Sequence, residues 1–297
     1  MTKIFTGADI ILGATTIRQV TNISHASGQE HRKAMNSGGA VVQQVSLKSA
    51  VDVTTFTSED LAGLLALNTA TFCSVGIPLL ASTITVPQKL RANGAVFASG
   101  SAHPAWTGSN ALIVPTSFEV SQDADAGACT ADIHWLSADG STIALDDTSG
   151  NALASQSFNA EFAMGPCYIN GTLLAGAQSF RVNPGIEVVK PPLGSGFIYP
   201  TQASIKMGTP TMELTVNDWD SVTGTVGTFV AMTSANFYMR KRADSGIYSA
   251  SSDNIRFTMA AGLTDTNSIS ISSNDDGSAT ITLHGKVLTA SAAVALP

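Results

Sequence analysis

The feature that most constrains this chain is a β-rich pattern that occurs twice. The offset in residue number between the two occurrences changes along the chain. It is 163 for the first matched positions, 158 for those in the middle and 138 for the last. Changing offsets are expected when strands are kept and loops differ in length. The matched positions are Ile17 with Phe180, Ile23 with Ile186, Lys48 with Lys206, Phe56 with Leu214, and Ile133 with Ile271. The sequence therefore predicts an internal duplication.

Most segments have the alternation and the β-branched content that are typical of strands. Asp139-Gly140 and Asp276-Gly277 each separate two such runs, which predicts two hairpins. One short helix is predicted after Thr57-Ser58-Glu59-Asp60, because a capping residue and early acids precede a leucine-rich run. We predict a mainly β chain of two tandem β-sandwich or barrel domains, residues 1–164 and 165–297, each with at most one short helix.

Charge is sparse and its balance is acidic. Charged residues make up 12% of the chain and the formal net charge is −7, whereas about 25% is usual for a soluble domain. Two explanations stay open at this point: neighbours in an assembly cover the surface, or a Ser/Thr-rich surface is solvated. The acidic balance argues against a protein that grips nucleic acid by its phosphates. A negative wall that DNA slides past remains compatible with it.

Cysteines and apolar runs bear on the compartment. Cys73, Cys129 and Cys167 are far apart and form no C-x-x-C, so we predict buried thiols in a reducing compartment. The N-terminus lacks the pattern of a signal peptide. The apolar run from Leu61 to Leu80 contains Asn68, Gly76 and Pro78, which argues against a membrane span.

Motifs for catalysis or metal binding are weak. His25 and His31 share a polar segment without a defined ligand spacing. The run Asp123 to Gly127 is similar to part of a calcium loop but lacks the remaining ligands. The sequence contains no G-x-S-x-G, no Walker A motif and no dinucleotide fingerprint. We therefore predict that the protein is not an enzyme and has no catalytic residues, no metal site and no cofactor.

Two long polar segments and one basic cluster are the candidate contact sites. Ser24 to Ala40 and Glu187 to Ile198 occupy equivalent places between the second and third strands of each predicted unit. The cluster Arg240, Lys241 and Arg242 is either a partner contact or a solvated strand end.

This layout resembles the tail tube (major tail) proteins of long-tailed bacteriophages, in the type that carries two tube domains in one chain. The resemblance rests on a compact β unit with a long loop between early strands, a helix after the Thr57-Ser58-Glu59-Asp60 cap, and low charge. It implies tail-tube-like domains whose inner sheets join into a β-lined channel. From the net charge of −7 we expect the wall of that channel to be acidic. Three such chains would close a pseudo-sixfold ring, and rings stacked head to tail would form a tube.

The resemblance also implies site residues and partners. The long loop would reach the adjacent ring through Gln29, Glu30, His31, Arg32 and Lys33, with Lys190, Pro191, Pro192 and Gly194 as the second-domain equivalent. Expected partners are further copies of the chain and the tail tip, tape measure and tail terminator proteins. DNA would pass through the lumen without specific binding, and the protein would reside in the virion tail after assembly in the host cytoplasm, with no membrane partner.

One alternative is a phage decoration protein, adhesin or carbohydrate-binding module. Trp106, Trp135 and Trp219 would then stack on sugars, although packing in a core or interface also accounts for tryptophan.

Overall fold

The computed structural model describes most of the chain and shows a nearly all-β protein with one short helix, which confirms the mainly β prediction. The described residues are 4–35, 42–66, 79–81, 83–92, 96–97, 103–124, 126–153, 160–190, 196–217, 231–242, 248, 252–272 and 275–297.

The elements include strands that range in length from two residues to 20. Those of the first half are β1 (Ile4–Gly7), β2 (Ile10–Leu12), β3 (Thr15–Ile17), β4 (Val20–Ser27), β5 (Glu30–Met35), β6 (Val42–Ser49), β7 (Asp52–Ser58), α1 (Leu61–Ala66), β8 (Leu79–Ala81), β9 (Ile84–Ala92), β10 (Val96–Phe97), β11 (His103–Gly108), β12 (Ala111–Ser121), β13 (Ala128–Trp135) and β14 (Asp146–Asn151). Those of the second half are β15 (Glu161–Ile169), β16 (Thr172–Leu173), β17 (Ala177–Asn183), β18 (Ile186–Val189), β19 (Ser204–Met207), β20 (Thr211–Val216), β21 (Ala231–Arg242), β22 (Asn254–Ser272) and β23 (Asp275–Val294).

One large antiparallel sheet runs through both halves of the chain. Its strand order is β16-β15-β21-β22-β23-β20-β17-β12-β13-β7-β4, and β8 also pairs with β12. A second sheet has the order β14-β11-β9-β2-β3, with β1 and β10 also on β9. Two separate two-stranded sheets, β5-β6 and β18-β19, complete the described pairing.

Alternation along the strands builds the core. In β7, Asp52, Thr54, Phe56 and Ser58 are buried while the residues between them are half-buried. β13 shows the same period of two. The buried residues of the large sheet form one cluster with Ile10, Ile84 and their neighbours in the second sheet, which gives a sandwich-like arrangement.

The large sheet also folds back on itself. Phe180 of β17 lies 5.3 Å from Phe237 of β21 and 6.3 Å from Phe257 of β22, measured between ring centroids. Strands so far apart in the sheet order make such contacts only across two layers. The long strands β22 and β23 pass from one layer to the other near Gly262, which pairs with Gly285. A Cβ at Gly262 would collide with the backbone oxygen of His284, so this crossing requires glycine.

The predicted helix is present and begins as expected. α1 starts at Leu61, the Asp60 carboxylate accepts a hydrogen bond from the Gly63 N–H at 2.9 Å, and the Ser58 hydroxyl accepts one from the Asp60 N–H at 3.0 Å. Both bonds satisfy N–H groups near the helix start that lack a partner within the helix. In the second half, the run from Val216 to Ser221 also has a capping residue followed by acids, which predicts a single turn or a loop. That run lies outside the described residues beyond Asn217.

One predicted hairpin is wrong and the other is displaced. β13 ends at Trp135 and the following strand, β14, pairs with β11 instead. Asp139 caps a tight turn, because its carboxylate accepts hydrogen bonds from the N–H groups of Ser141 and Thr142. β22 and β23 do form a hairpin, but Ser272 pairs with Asp275. Asp276-Gly277 therefore lies inside β23 and not in the turn.

The predicted boundary between residues 164 and 165 falls inside β15. That strand pairs with β21 on both sides of a bulge between Met164 and Cys167. A single sheet joins the two halves through β12 and β17. The division into domains 1–164 and 165–297 stays a prediction.

Candidate assembly surfaces

Four strands of the large sheet recur as a set with the same pairing. We call β4, β7, β12 and β13 the first repeat, and β17, β20, β22 and β23 the second repeat. In the first, β4 pairs with β7 and β7 with β13; in the second, β17 pairs with β20 and β20 with β23. The strand orders β12-β13-β7-β4 and β22-β23-β20-β17 are therefore the same.

The pairing registers coincide as well. Ile23 lies opposite Phe56 in the first repeat, and Phe180 lies opposite Leu214 in the second. Both strand pairs carry an irregularity three residues earlier, after Val20 and after Ala177. A bulge marks a strand at one particular residue, so its recurrence fixes Ile23 as the counterpart of Phe180.

The other strand pair agrees in the same way. Leu112 lies opposite His134 in the first repeat, and Leu263 lies opposite His284 in the second. A register shift follows Pro115 in β12, and another follows Thr266 in β22 at the equivalent place.

These registers correct two of the predicted offsets. The middle offset is confirmed, because Phe56 does correspond to Leu214. The upstream offset is wrong, because the counterpart of Phe180 is Ile23 and not Ile17. The downstream offset is also wrong, because the counterpart of Ile133 is Leu283 and not Ile271. Both errors arise because few residues are identical between the two repeats. Thr130 and His134 do match Thr280 and His284 in residue type.

The two repeats join through one strand pair. β17 of the second repeat lies beside β12 of the first, with Phe118 opposite Val182, Glu119 opposite Arg181, and Val120 opposite Phe180. We call this pair the internal junction. It makes the two repeats parts of one continuous sheet.

β4 and β22 are the counterparts of the junction strands β17 and β12. In the described structure, each lacks a partner along the stretch of edge that its counterpart uses in the internal junction. β4 corresponds to β17, and among the described residues its only strand partner is β7. The stretch 264–272 of β22 corresponds to residues 113–121 of β12. Among the described residues its only strand partner is β23, since β21 pairs with β22 only as far as Leu263. In the described part of the structure, one chain therefore presents both halves of a second junction without completing it.

Neither any protein-family model nor any curated protein sequence matches this chain.

Both polar segments that the sequence predicted as loops contain strands. Ser24 to Ala40 includes the end of β4 and all of β5, and Glu187 to Ile198 begins within β18. We call β5-β6 arm 1 and β18-β19 arm 2. Arm 1 leaves the sheet between β4 and β7, and arm 2 leaves it between β17 and β20. A cross-strand ion pair recurs in both, Lys48 with Glu30 at 2.9 Å and Lys206 with Glu187 at 3.3 Å. Because both pairs are well exposed, each adds little stability.

Arm 1 brings the predicted contact residues together on an exposed hairpin. Gln29 precedes β5, and Glu30, His31, Arg32 and Lys33 lie within it, all exposed. At its base Gly28 and Val51 exchange two backbone hydrogen bonds. Whether these residues contact another ring stays a prediction.

The loop of arm 2 lies on segments that flank the first repeat, just before β7 and just after β13. The backbone of Ile198 donates to the Gly140 oxygen at 2.8 Å and accepts from the Ala50 N–H at 2.9 Å, and Ser137 donates to the Pro200 oxygen at 2.8 Å. Of the predicted residues of this segment, Lys190 follows β18, while Pro191, Pro192 and Gly194 lie outside the described residues.

A buried polar network lies below the arms. The Thr54 hydroxyl accepts a hydrogen bond from the Trp135 indole N–H at 2.9 Å and contacts His25 Nδ1 at 3.0 Å. His25 Nε2 lies 3.7 Å from the buried carboxylate of Asp52, and the His25 ring packs against Trp106 at 5.1 Å. Burial lowers the pKa of His25, which the Asp52 charge opposes. His25 is thus a structural residue.

Lys190, which follows β18 of arm 2, interacts electrostatically with Asp52 of this network and with His134. Burial, aided by the Lys190 charge, lowers the pKa of His134 to about 4. Burial lowers the pKa of Lys190 to about 8, against the attraction of Asp52. His134 Nδ1 and Lys190 Nζ are both shielded from solvent and have no hydrogen-bond partner in the described structure.

Stability should fall below neutral pH because of His134. Its folded pKa of about 4 lies below the ordinary 6.5, so between these values the unfolded chain binds the additional proton. The contribution is complete above pH 6.5 and is lost as pH falls toward 4, on the order of 1 kcal/mol after allowance for solvent screening. Denaturant titrations at pH 7 and 4.5 should show a smaller difference for His134→Gln than for wild type. An equal difference in both proteins would contradict this assignment.

The basic cluster has partners within the chain. Arg242 lies 3.9 Å from Glu161, Lys241 lies 3.1 Å from Asp253, and the Arg240 guanidinium lies 4.3 Å from the centre of the Tyr248 ring. A contact of this cluster with another protein stays a prediction.

The face of the large sheet opposite the core is polar and carries few charges. We call it the polar face. Its residues in the two repeats include Asn22, Ser24, Thr55, Thr57, Glu119, Ser121, Thr130, Asp132, Ser179, Arg181, Glu213, Thr215, Thr280 and Thr282, and the register also assigns Val53, Leu112, His134, Leu263 and His284 to it. Among the charged side chains that the structure describes on this face, Glu119, Asp132 and Glu213 outnumber Arg181, which makes the face acidic. A groove of about 480 Å³ crosses this face at the internal junction, beside Glu119, Arg181 and Glu213.

The chemistry available in the described part of the chain is limited. No group of three or more His, Cys, Asp or Glu side chains there could hold a metal ion. Cys129 and Cys167 are buried thiols that form no disulfide, and burial raises the pKa of Cys167. Cys73 lies outside the described residues. Within the described residues, no helix is both long and apolar enough to cross a bilayer.

The tryptophans give no support to sugar stacking. Trp135 is fully buried, and Trp106 is half-buried against the core and His25. Trp219 lies outside the described residues.

Proposed function

We propose that this protein is a structural protein that polymerises into stacked rings and forms a tail tube, a channel for DNA passage in a phage virion. The observation that carries the proposal is the incomplete second junction. The internal junction pairs β17 with β12, while their counterparts β4 and β22 keep the same edges unpaired in the described structure.

A second copy of the chain supplies what is missing. If β4 of one copy lies beside β22 of the next as β17 lies beside β12, His25 would be opposite Ile269, Ser24 opposite Ser270, and Ile23 opposite Ile271. Unpaired strand edges are templates for pairing with another chain. The contact is head to tail, so each copy can bind a further copy in the same way. The copies form a closed ring if the rotation from one copy to the next divides a full turn evenly. The resemblance to two-domain tube proteins makes three copies per ring the expected number.

The polar face supports a channel. In a closed ring the large sheet would form a continuous wall with its core side outward and its polar face inward. Threonine and serine dominate that face, and its charged side chains among those that the structure describes in the repeats include Glu119, Asp132, Arg181 and Glu213. A weakly acidic wall repels phosphate, so DNA would pass without adhering.

Negative-stain electron microscopy of the purified full-length chain at high concentration tests the proposal. We expect hollow tubes or stacked rings, with a rotational symmetry that reports the number of copies. A protein that stays monomeric, checked by sedimentation over the same concentrations, would contradict it. A reconstruction with the polar face outward would contradict the channel assignment alone.

A further inference from the structure

The two arms are built alike, but within the described part of one chain only arm 2 lies against a strand of a repeat, namely β12. The register of each arm relative to its repeat makes Lys33 the counterpart of Lys190, since each lies three residues after the glutamate of the cross-strand ion pair. Lys190 has a shielded ammonium group next to His134. Lys33 is exposed.

The surface beneath arm 2 recurs on the second repeat without a cover. Under arm 2, the pair Leu112 and His134 is shielded: Leu112 is 6% exposed, and β18 lies against β12. The corresponding pair is Leu263 and His284, of the same residue types, and Leu263 is 58% exposed. His284 is exposed as well.

Arm 1 carries an apolar side chain at the matching place. Val45 lies opposite Lys33 in arm 1 and is 57% exposed. Exposed aliphatic side chains on both surfaces favour burial against each other, at about 25 cal/mol per Å² of apolar area removed from water.

We propose that arm 1 of one copy lies on the second repeat of the neighbouring copy in the same ring, with Lys33 and Val45 over Leu263 and His284. The inference rests on the proposed function, because it requires β4 of the first copy to pair with β22 of the second. It differs from the contact with an adjacent ring that the resemblance implies for this segment. Pro210 stands where Asp52 stands in the first repeat, so this contact lacks a carboxylate for Lys33 and is weaker than that of arm 2.

Cross-linking tests the contact in the full-length assembly. The variant Lys33→Cys/His284→Cys, in a Cys73→Ser background, is treated with a short bismaleimide, since buried Cys129 and Cys167 are shielded. We expect covalent oligomers on a denaturing gel, ending at the number of copies in one ring. A mixture of the two single variants should give covalent dimers only, which shows that the bond joins two chains.

A control variant tests whether the cross-linker can span this pair of positions. Lys190→Cys/His134→Cys places the same pair inside one chain, so it should react without forming oligomers. Intact tubes without Lys33–His284 cross-links would overturn the inference and leave the proposed function standing. A ladder that continues past one ring would also overturn it, because the arm would then join different rings. Failure of the wild-type chain to assemble would overturn both.

Discussion

Assembly is expected to fail when proline replaces one of two adjacent residues in β4, Ile23 or Ser24. Successive N–H groups of a strand point to opposite edges, so one of these two N–H groups faces β7 and the other faces the unpaired edge. Proline removes the donor and adds a ring that obstructs an incoming strand. For the variant at the outward N–H, the critical concentration for assembly should rise more than about tenfold, which corresponds to about 1.4 kcal/mol per junction.

The same pair of variants contains its own control. The substitution at the inward N–H breaks the β4–β7 ladder, so it should lower the unfolding free energy. The outward one should leave stability close to that of wild type. The variants Ser24→Ala and Ile23→Ala control for loss of the side chain, because alanine keeps the backbone N–H that proline removes. Light scattering should show that Ser24→Ala assembles normally. Wild-type assembly by both proline variants would rule out β4 as the joining edge.

Trp135→Ala should cause the largest loss of stability among the substitutions considered for this chain. The indole is fully buried, donates to Thr54, and fills the space beside Gly108, where a Cβ would lie 2.5 Å from the ring. Removing it leaves a cavity and an unused Thr54 acceptor, at a cost of about 3–5 kcal/mol. Equilibrium denaturation with guanidinium chloride measures the difference.

Trp106→Ala is the matched control. Its ring is half-buried and packs against His25, so a loss of about 1–2 kcal/mol is expected from the smaller area removed from contact. Similar losses of unfolding free energy for Trp135→Ala and Trp106→Ala would contradict the prediction that the more buried tryptophan contributes more to stability. A sugar-binding role for Trp106 would appear separately, as a change in glycan binding without a change in stability.

Local chemistry made part of the fold predictable from the sequence. The Asp60 cap and the leucines after it indicated α1, and the alternation in β7 and β13 indicated half-buried strands. The duplication was also visible, because Phe56 and Lys48 keep their counterparts at a single offset. β5 escaped prediction because Glu-His-Arg-Lys is exposed on both faces and has no apolar alternation.

The candidate junction could not be predicted because it depends on register. A shift of one or two residues in a strand leaves its composition unchanged but alters every cross-strand pair. The bulges after Val20 and Ala177, which fix the correspondence of Ile23 and Phe180, have no signature in the residues around them. The pattern Glu-x-x-Lys in both arms and the matching of His134 with His284 were the available signals, and each is too short to stand alone.

The internal junction has a kinetic consequence. Where two repeats belong to one chain, the peptide connection holds them at an effective concentration in the millimolar range or above. Half of the junctions in a closed ring would then form during folding of the individual chain and would not depend on how many copies the cell contains. Only the β4–β22 contacts would require diffusion and collision. A ring could thus begin to form at concentrations at which separate single-repeat chains would remain apart.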